Sequence, residues 1–277
     1  MPRSLIASRW TRRLAASLGV ALLAAAGIAA LRHRHGAERL WRAAEAGFER
    51  GEHRRALGLY LQLADGYPGD PLALQALHQA GTINRLYLRD EREAVTALRE
   101  LARRDPAGAW GRTAQRELGG IFEQRDGGCR QAIVEYQRFI GMDPAGAGND
   151  EAQLAVARCS FALGDFEQAR AEYELLLERY PESALRPRAL LGIAGAWYVA
   201  GRHAAAATAY RQVLAETDDP ELGAEAAFGV ASALEASGDL AGALRELERA
   251  RAGHPNPALV DQRLARVRGR MEQQAGR

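Results

Sequence analysis

The 277-residue chain has no lysine, and all 37 of its basic side chains are arginine. A phosphate-binding loop of the usual form needs a lysine beside its last glycine, so that nucleotide site cannot be built here. Cysteine is almost as scarce. Only Cys129 and Cys159 occur, and neither follows an apolar amino-terminal run, so no lipidated leader is expected. CxxC, HExxH and GxSxG patterns are absent as well, which removes the usual zinc and nucleophile arrangements. The six histidines are scattered, and the one chelating spacing, His33-x-His35, sits inside a basic cluster. Acids such as Glu172 and Glu174 are two apart and would point away from each other on a helix. No catalytic residue, metal site, cofactor or small-molecule substrate is expected. Strand signals are missing too, because no alternating apolar–polar stretch is long enough for a sheet.

What the chain does have is a ladder of prolines: Pro68, Pro106, Pro144, Pro181, Pro220 and Pro255, at steps of 38, 38, 37, 39 and 35 residues. A period of that size marks an array of one supersecondary unit. Twelve residues before five of these prolines stands an alanine: Ala56, Ala94, Ala132, Ala169 and Ala243. Ala206 precedes Pro220 by fourteen, which reads as a two-residue insertion in the fifth unit. Four residues after each alanine comes Tyr60, Leu98, Tyr136, Tyr173, Tyr210 or Leu247, and seven after it Leu63, Leu101, Phe139, Leu176, Val213 or Ala250. That spacing is one face of a helix. A turn precedes each alanine, with glycine in every unit but the second, where Arg89 stands. Before each turn runs another apolar-periodic stretch, and Asn149-Asp150 reads as the cap of one of them. The unit is helix, short turn, helix, proline.

This pattern resembles the tetratricopeptide repeat, most closely at Gly164-Asp165-Phe166, Ala169, Tyr173 and Pro181, and again at Gly238-Asp239, Ala243, Ala250 and Pro255. The run Arg179-Tyr180-Pro181-Glu182-Ser183 is similar to longer-period repeats of bacterial envelope proteins, the outer-membrane assembly lipoprotein and Tol-Pal coordinator type. The first-helix signature departs from the family, with Trp41 one place off and Trp197 where tyrosine is usual. The resemblance implies an all-α fold, a right-handed α-solenoid of about six helix pairs over residues 37–256. The units are about 37–71, 72–108, 109–146, 147–183, 184–220 and 221–256, followed by a capping helix and tail at 257–277. On that last helix Leu259, Leu264, Val267 and Met271 form the apolar face, with Arg263, Arg266, Arg268 and Arg270 making the outer side polar.

Residues 14–31 are an uncharged run of 18, about 27 Å long as a helix and close to the thickness of a bilayer core. Residues 1–13 form a basic tail, and 32–36 a linker containing Arg32 and Arg34. The length favours a single transmembrane signal anchor, and the positive-inside rule keeps the tail cytoplasmic. The array then lies in the periplasm of a bacterium, attached to the inner membrane; a cleaved signal and a soluble periplasmic array is the alternative. Residues 1–39 hold seven arginines and one acid, leaving 30 arginines and 34 acids in the remainder. The array is mildly acidic and shows no basic stripe, so no nucleic-acid partner is expected.

In the family the first helices of the pairs line a concave groove. Carried over unit by unit, the resemblance implies a partner-binding groove of Trp41, Phe48, Ile83, Tyr87, Ile121, Arg125, Arg158, Phe161, Tyr198 and Phe228. Such a surface suits protein or peptide ligands. The family's carboxylate clamp needs groove lysines that this chain lacks. Cys129 opens the second helix of unit three and Cys159 lies late in the first helix of unit four, so the two are expected to be neighbours able to form a disulfide. The resulting expectation is a membrane-anchored scaffold for assembly, secretion or export in the cell envelope. The alternative is an accessory subunit of an envelope enzyme complex, such as a polysaccharide synthase or a cytochrome-maturation machine.

Overall fold

The six periodic alanines, Ala56, Ala94, Ala132, Ala169, Ala206 and Ala243, are all 0% exposed in the computed structural model, which describes residues 35–275. A methyl group at these positions lets a second helix press closely against its partner. The residues seven further on are equally sealed, from Leu63 through Leu101, Phe139, Leu176 and Val213 to Ala250. The predicted stripe is therefore the core of each pair.

Among the described residues there are helices and no strands. A helix over residues 35–49 (α1) is followed by α2 (His53–Gly66) and α3 (Pro71–Thr82). A π-helical segment (Ile83–Leu88) continues α3, and α4 (Glu91–Arg104) and α5 (Ala109–Gln124) come next. Then come α6 (Cys129–Met142), α7 (Asn149–Ala162), α8 (Phe166–Arg179) and α9 (Arg186–Val199). The chain closes with α10 (His203–Glu216), α11 (Pro220–Ala236), α12 (Leu240–Ala250) and α13 (Pro257–Ala275). It divides into two compact units, Met1–Ala114 and Gln115–Arg277. In the first, α2 packs on α3 and α3 on α4; in the second, each helix from α6 to α13 packs on the next.

Local chemistry sets the boundaries. Gly164 and Gly201 adopt φ of +83° and +73° after the first helices of their pairs, a left-handed conformation that glycine takes without steric cost. Arg89 takes the same conformation (φ 58°) and is the one non-glycine to do so among the described residues. Asp70 and Asp219 cap α3 and α11 by accepting from the backbone amides of Leu72 and Glu221.

Several expectations change. Pro68, Pro106, Pro144, Pro181 and Pro255 lie between helices, whereas Pro220 is the first residue of α11. Helix α10 has the same 14 residues as α8, so the fifth unit has no insertion. Asp219-Pro220 repeats instead the Asp70-Pro71 start of α3, where proline's missing N–H costs nothing. Asn149 and Asp150 are inside α7, not capping it; Gly148 is the cap, and the Asn149 amide donates to the Asp143 carbonyl at 2.8 Å. On α13 Val260, Leu264 and Val267 are buried while Leu259 is exposed. Arg266, Arg268 and Arg270 are exposed and keep the outer side polar, but Arg263, Arg266 and Arg270 also converge on the carboxylate of Glu235 in α11, at 3.0, 3.3 and 2.8 Å. His35 and Gly36, expected in the linker, are already helical. The expected anchor at residues 14–31 lies outside the described residues, and among those described no helix is long and apolar enough to cross a membrane.

Candidate functional site: a groove across α7, α9 and α11

In the second unit α9 contacts both α7 and α11, so three first helices lie side by side. Their equivalent residues recur every 37 positions: Leu154, Leu191 and Phe228; then Arg158, Gly195 and Ser232; then Phe161 and Tyr198. Along each helix these positions are separated by four and three residues, which keeps them on one face. Together with Arg263 of α13 they line a groove of about 650 Å³.

Its floor comes from the second helices. The rings of Tyr173 and Tyr210 lie against the bare backbones of Gly192 and Gly229, where any Cβ would collide with them. Burial is the main cause that pushes both phenols up to about 12, so they stay neutral. Gly195 and Ser232 keep the middle of the groove shallow-walled, with aromatic residues beyond. Phe161 stands edge-on to Phe166 at 5.0 Å, and Tyr198 packs on His203 at 5.3 Å. Phe228 packs on His254 at 4.9 Å and carries the Arg263 guanidinium over its ring at 4.9 Å.

The charges fall into two groups. Arg158 is committed to Glu123 (2.7 Å), whose other oxygen accepts the Tyr136 hydroxyl at 2.9 Å, and Arg263 is committed to Glu235. By contrast the side chains of Arg188, Glu221 and Glu225 line the groove with no ion pair among the described residues. They are available to a ligand.

The structure brings together four of the predicted site residues, Arg158, Phe161, Tyr198 and Phe228. Arg125 is exposed on the same unit with its guanidinium 5.7 Å from the Phe122 ring, and is not among the residues lining this groove. Ile121 is 2% exposed, on the stripe Ala114, Leu118 and Ile121 that faces the core, so no partner can reach it. Ile83, 0% exposed, continues the buried stripe of Ala73, Ala76 and Ala80 and is withdrawn for the same reason. In the first unit Phe48 and Tyr87 meet edge to face at 5.0 Å over His53, and Trp41 packs against Tyr60 at 5.2 Å. Sequence reasoning missed Arg188, Glu221 and Glu225. The signal was present for Arg188 and Glu225, which are 37 apart and three residues before Leu191 and Phe228.

A family model described as tetratricopeptide repeat matches residues 120–184, 161–221 and 198–257. Residues 120–257 are tetratricopeptide repeats. Such repeats are protein-interaction modules, and the face described above is made by their first helices. Solved repeat structures share the fold at low identity. A tetratricopeptide repeat protein from Parabacteroides merdae superposes with a TM-score of 0.59 at 18% identity, over 85% of this chain and 88% of that one. The C-terminal part of a repeat-containing protein from Cytophaga hutchinsonii gives 0.64 at 14%, over 82% and 86%. PilW, a type IV pilus biogenesis factor, gives 0.53 at 17%, over 81% and 97%. At these identities the likeness concerns the fold alone. No curated protein matches the chain in sequence.

Proposed function

We propose that the chain is an interaction scaffold that binds a segment of a partner protein in the α7–α9–α11 groove. The observation that carries this reading is the recurrence, at 37-residue steps, of apolar and aromatic side chains along one accessible depression. Leu154, Leu191 and Phe228 offer one apolar row, and Phe161 and Tyr198 a second. A peptide lying across the helices would seat apolar anchors between them. The unpaired Glu221 and Glu225 at the start of α11 suit a basic residue on the partner, and Arg188 suits a carboxylate.

The uncharged run 14–31 with its basic flanks supports a further part of the proposal. It anchors the chain in a bacterial inner membrane and holds the array in the periplasm, where the partner belongs to the cell envelope. Two measurements test these readings. Capture from solubilised membranes should recover a partner with the full chain and lose it, by about tenfold or more, with Phe161→Ala/Tyr198→Ala/Phe228→Ala of unchanged circular dichroism. Undiminished recovery would move the site elsewhere. Protease added to cells with a permeabilised outer membrane should digest the array, and protection there would overturn the placement.

A further inference from the structure

We propose that Cys129 and Cys159 are a redox modification site, oxidised by a small-molecule disulfide to a bond that staples the first turn of α6 to the last turn of α7. The placement follows from topology. Helices α6 and α7 are joined by a short loop and packed together, so the start of one lies beside the end of the other. The two side chains are near enough that Cys129 contributes to raising the Cys159 pKa. The backbone leading into Cys129 is pinned, because the Gly128 amide donates to the Arg125 carbonyl at 2.9 Å and a Cβ at Gly128 would run into the Phe122 carbonyl. Bonding then needs the facing sulfurs to approach to about 2.05 Å.

The two thiols are unequal. Cys159 is 1% exposed, and Cys129 is half-buried and reachable. Burial, then the neighbouring Cys129 and the charge of Glu123, push the Cys159 thiol up against the opposing charge of Arg158. Exchange therefore starts at Cys129. Its thiolate attacks one sulfur of oxidised glutathione, the reagent's S–S bond breaks, and one glutathione departs as thiolate. Cys159 then gives its proton to solvent and attacks the Cys129 sulfur of the mixed disulfide, expelling the second glutathione. Two protein thiols lose two electrons and two protons, and the reagent gains both.

The bond closes a loop running from residue 129 to residue 159. Restricting that loop in the unfolded chain should raise the Tm by on the order of 10 °C. The site does not depend on any partner of the groove.

The test incubates the full chain, purified reduced, with millimolar oxidised glutathione, followed by non-reducing peptide mapping and thermal melting. The expected result is one cross-linked peptide pair containing Cys129 and Cys159, a higher Tm, and reversal of both by dithiothreitol. Cys129→Ser, at the half-buried position, should show neither change and retain the reduced protein's Tm; Cys159→Ser should lack the cross-link whatever its own stability. Glutathione left on Cys129, a disulfide between two chains, two thiols still open to alkylation, or a cross-linked pair with an unchanged or lower Tm would each overturn the proposal.

Discussion

Gly192 and Gly229 have no side chain for a mechanical reason: the rings of Tyr173 and Tyr210 occupy the space where one would stand. Gly192→Ala should drive the Tyr173 ring off its rotamer and cost about 1–3 kcal/mol, read by chemical denaturation. Glu235 is the other residue on which much depends, since a single carboxylate receives Arg263, Arg266 and Arg270. Burial alone would raise its pKa, but the Arg263 bond and charge, with Arg266 and Arg270, lower it below the ordinary 4.5. A carboxyl held below its unfolded value contributes fully above about pH 4.5 and loses that contribution as pH falls through the folded value. Glu235→Gln should therefore cost about 2–4 kcal/mol near pH 7, where it leaves three cations facing a neutral amide. The gap between variant and parent in thermal melts should close on acidification toward pH 3.

The helices of each pair were legible because alanine, an aromatic or aliphatic residue and a second apolar residue keep helical spacing from Ala56 to Ala250. Ends were less so. Pro220 looked like a terminator because proline suits both the exit of one helix and the first turn of the next, and only the equal lengths of α8 and α10 decide between them. The role of Asp219 as cap gives a check at this scale. Asp219→Ala should cost about 1 kcal/mol and fray the first turn of α11, visible as faster amide exchange at Glu221 and Leu222. Faces were the hardest to assign. Neighbouring helical residues differ by about 100° in direction, so an error of one place puts Leu259 in a core where Val260 belongs, and Ile121 is buried although it lies 37 residues before the groove residue Arg158. The convergence of three α13 arginines on Glu235 could not be read from the sequence, because their carboxylate lies on another helix.

Stacked repeats hold together through nearest neighbours, so damage at one end should fade with distance. Glu235→Gln should raise amide exchange most in α13 and α12, less in α11, and least in α6, when followed by mass spectrometry. A uniform rise along the second unit would mean that it opens as one block.

The groove residues recur every 37 positions, but the rungs are not copies: Arg158, Gly195 and Ser232 differ, as do Arg188 and Glu225. Packed helices lie about 8–10 Å apart, which an extended chain crosses in roughly three residues. A bound strand with an apolar residue at every third place would meet one seat per helix. Were the seats identical, it could slip by one notch and bind out of phase. For the proposed partner segment, the unlike rungs would act as a key with unequal teeth, favouring one alignment and one direction of entry.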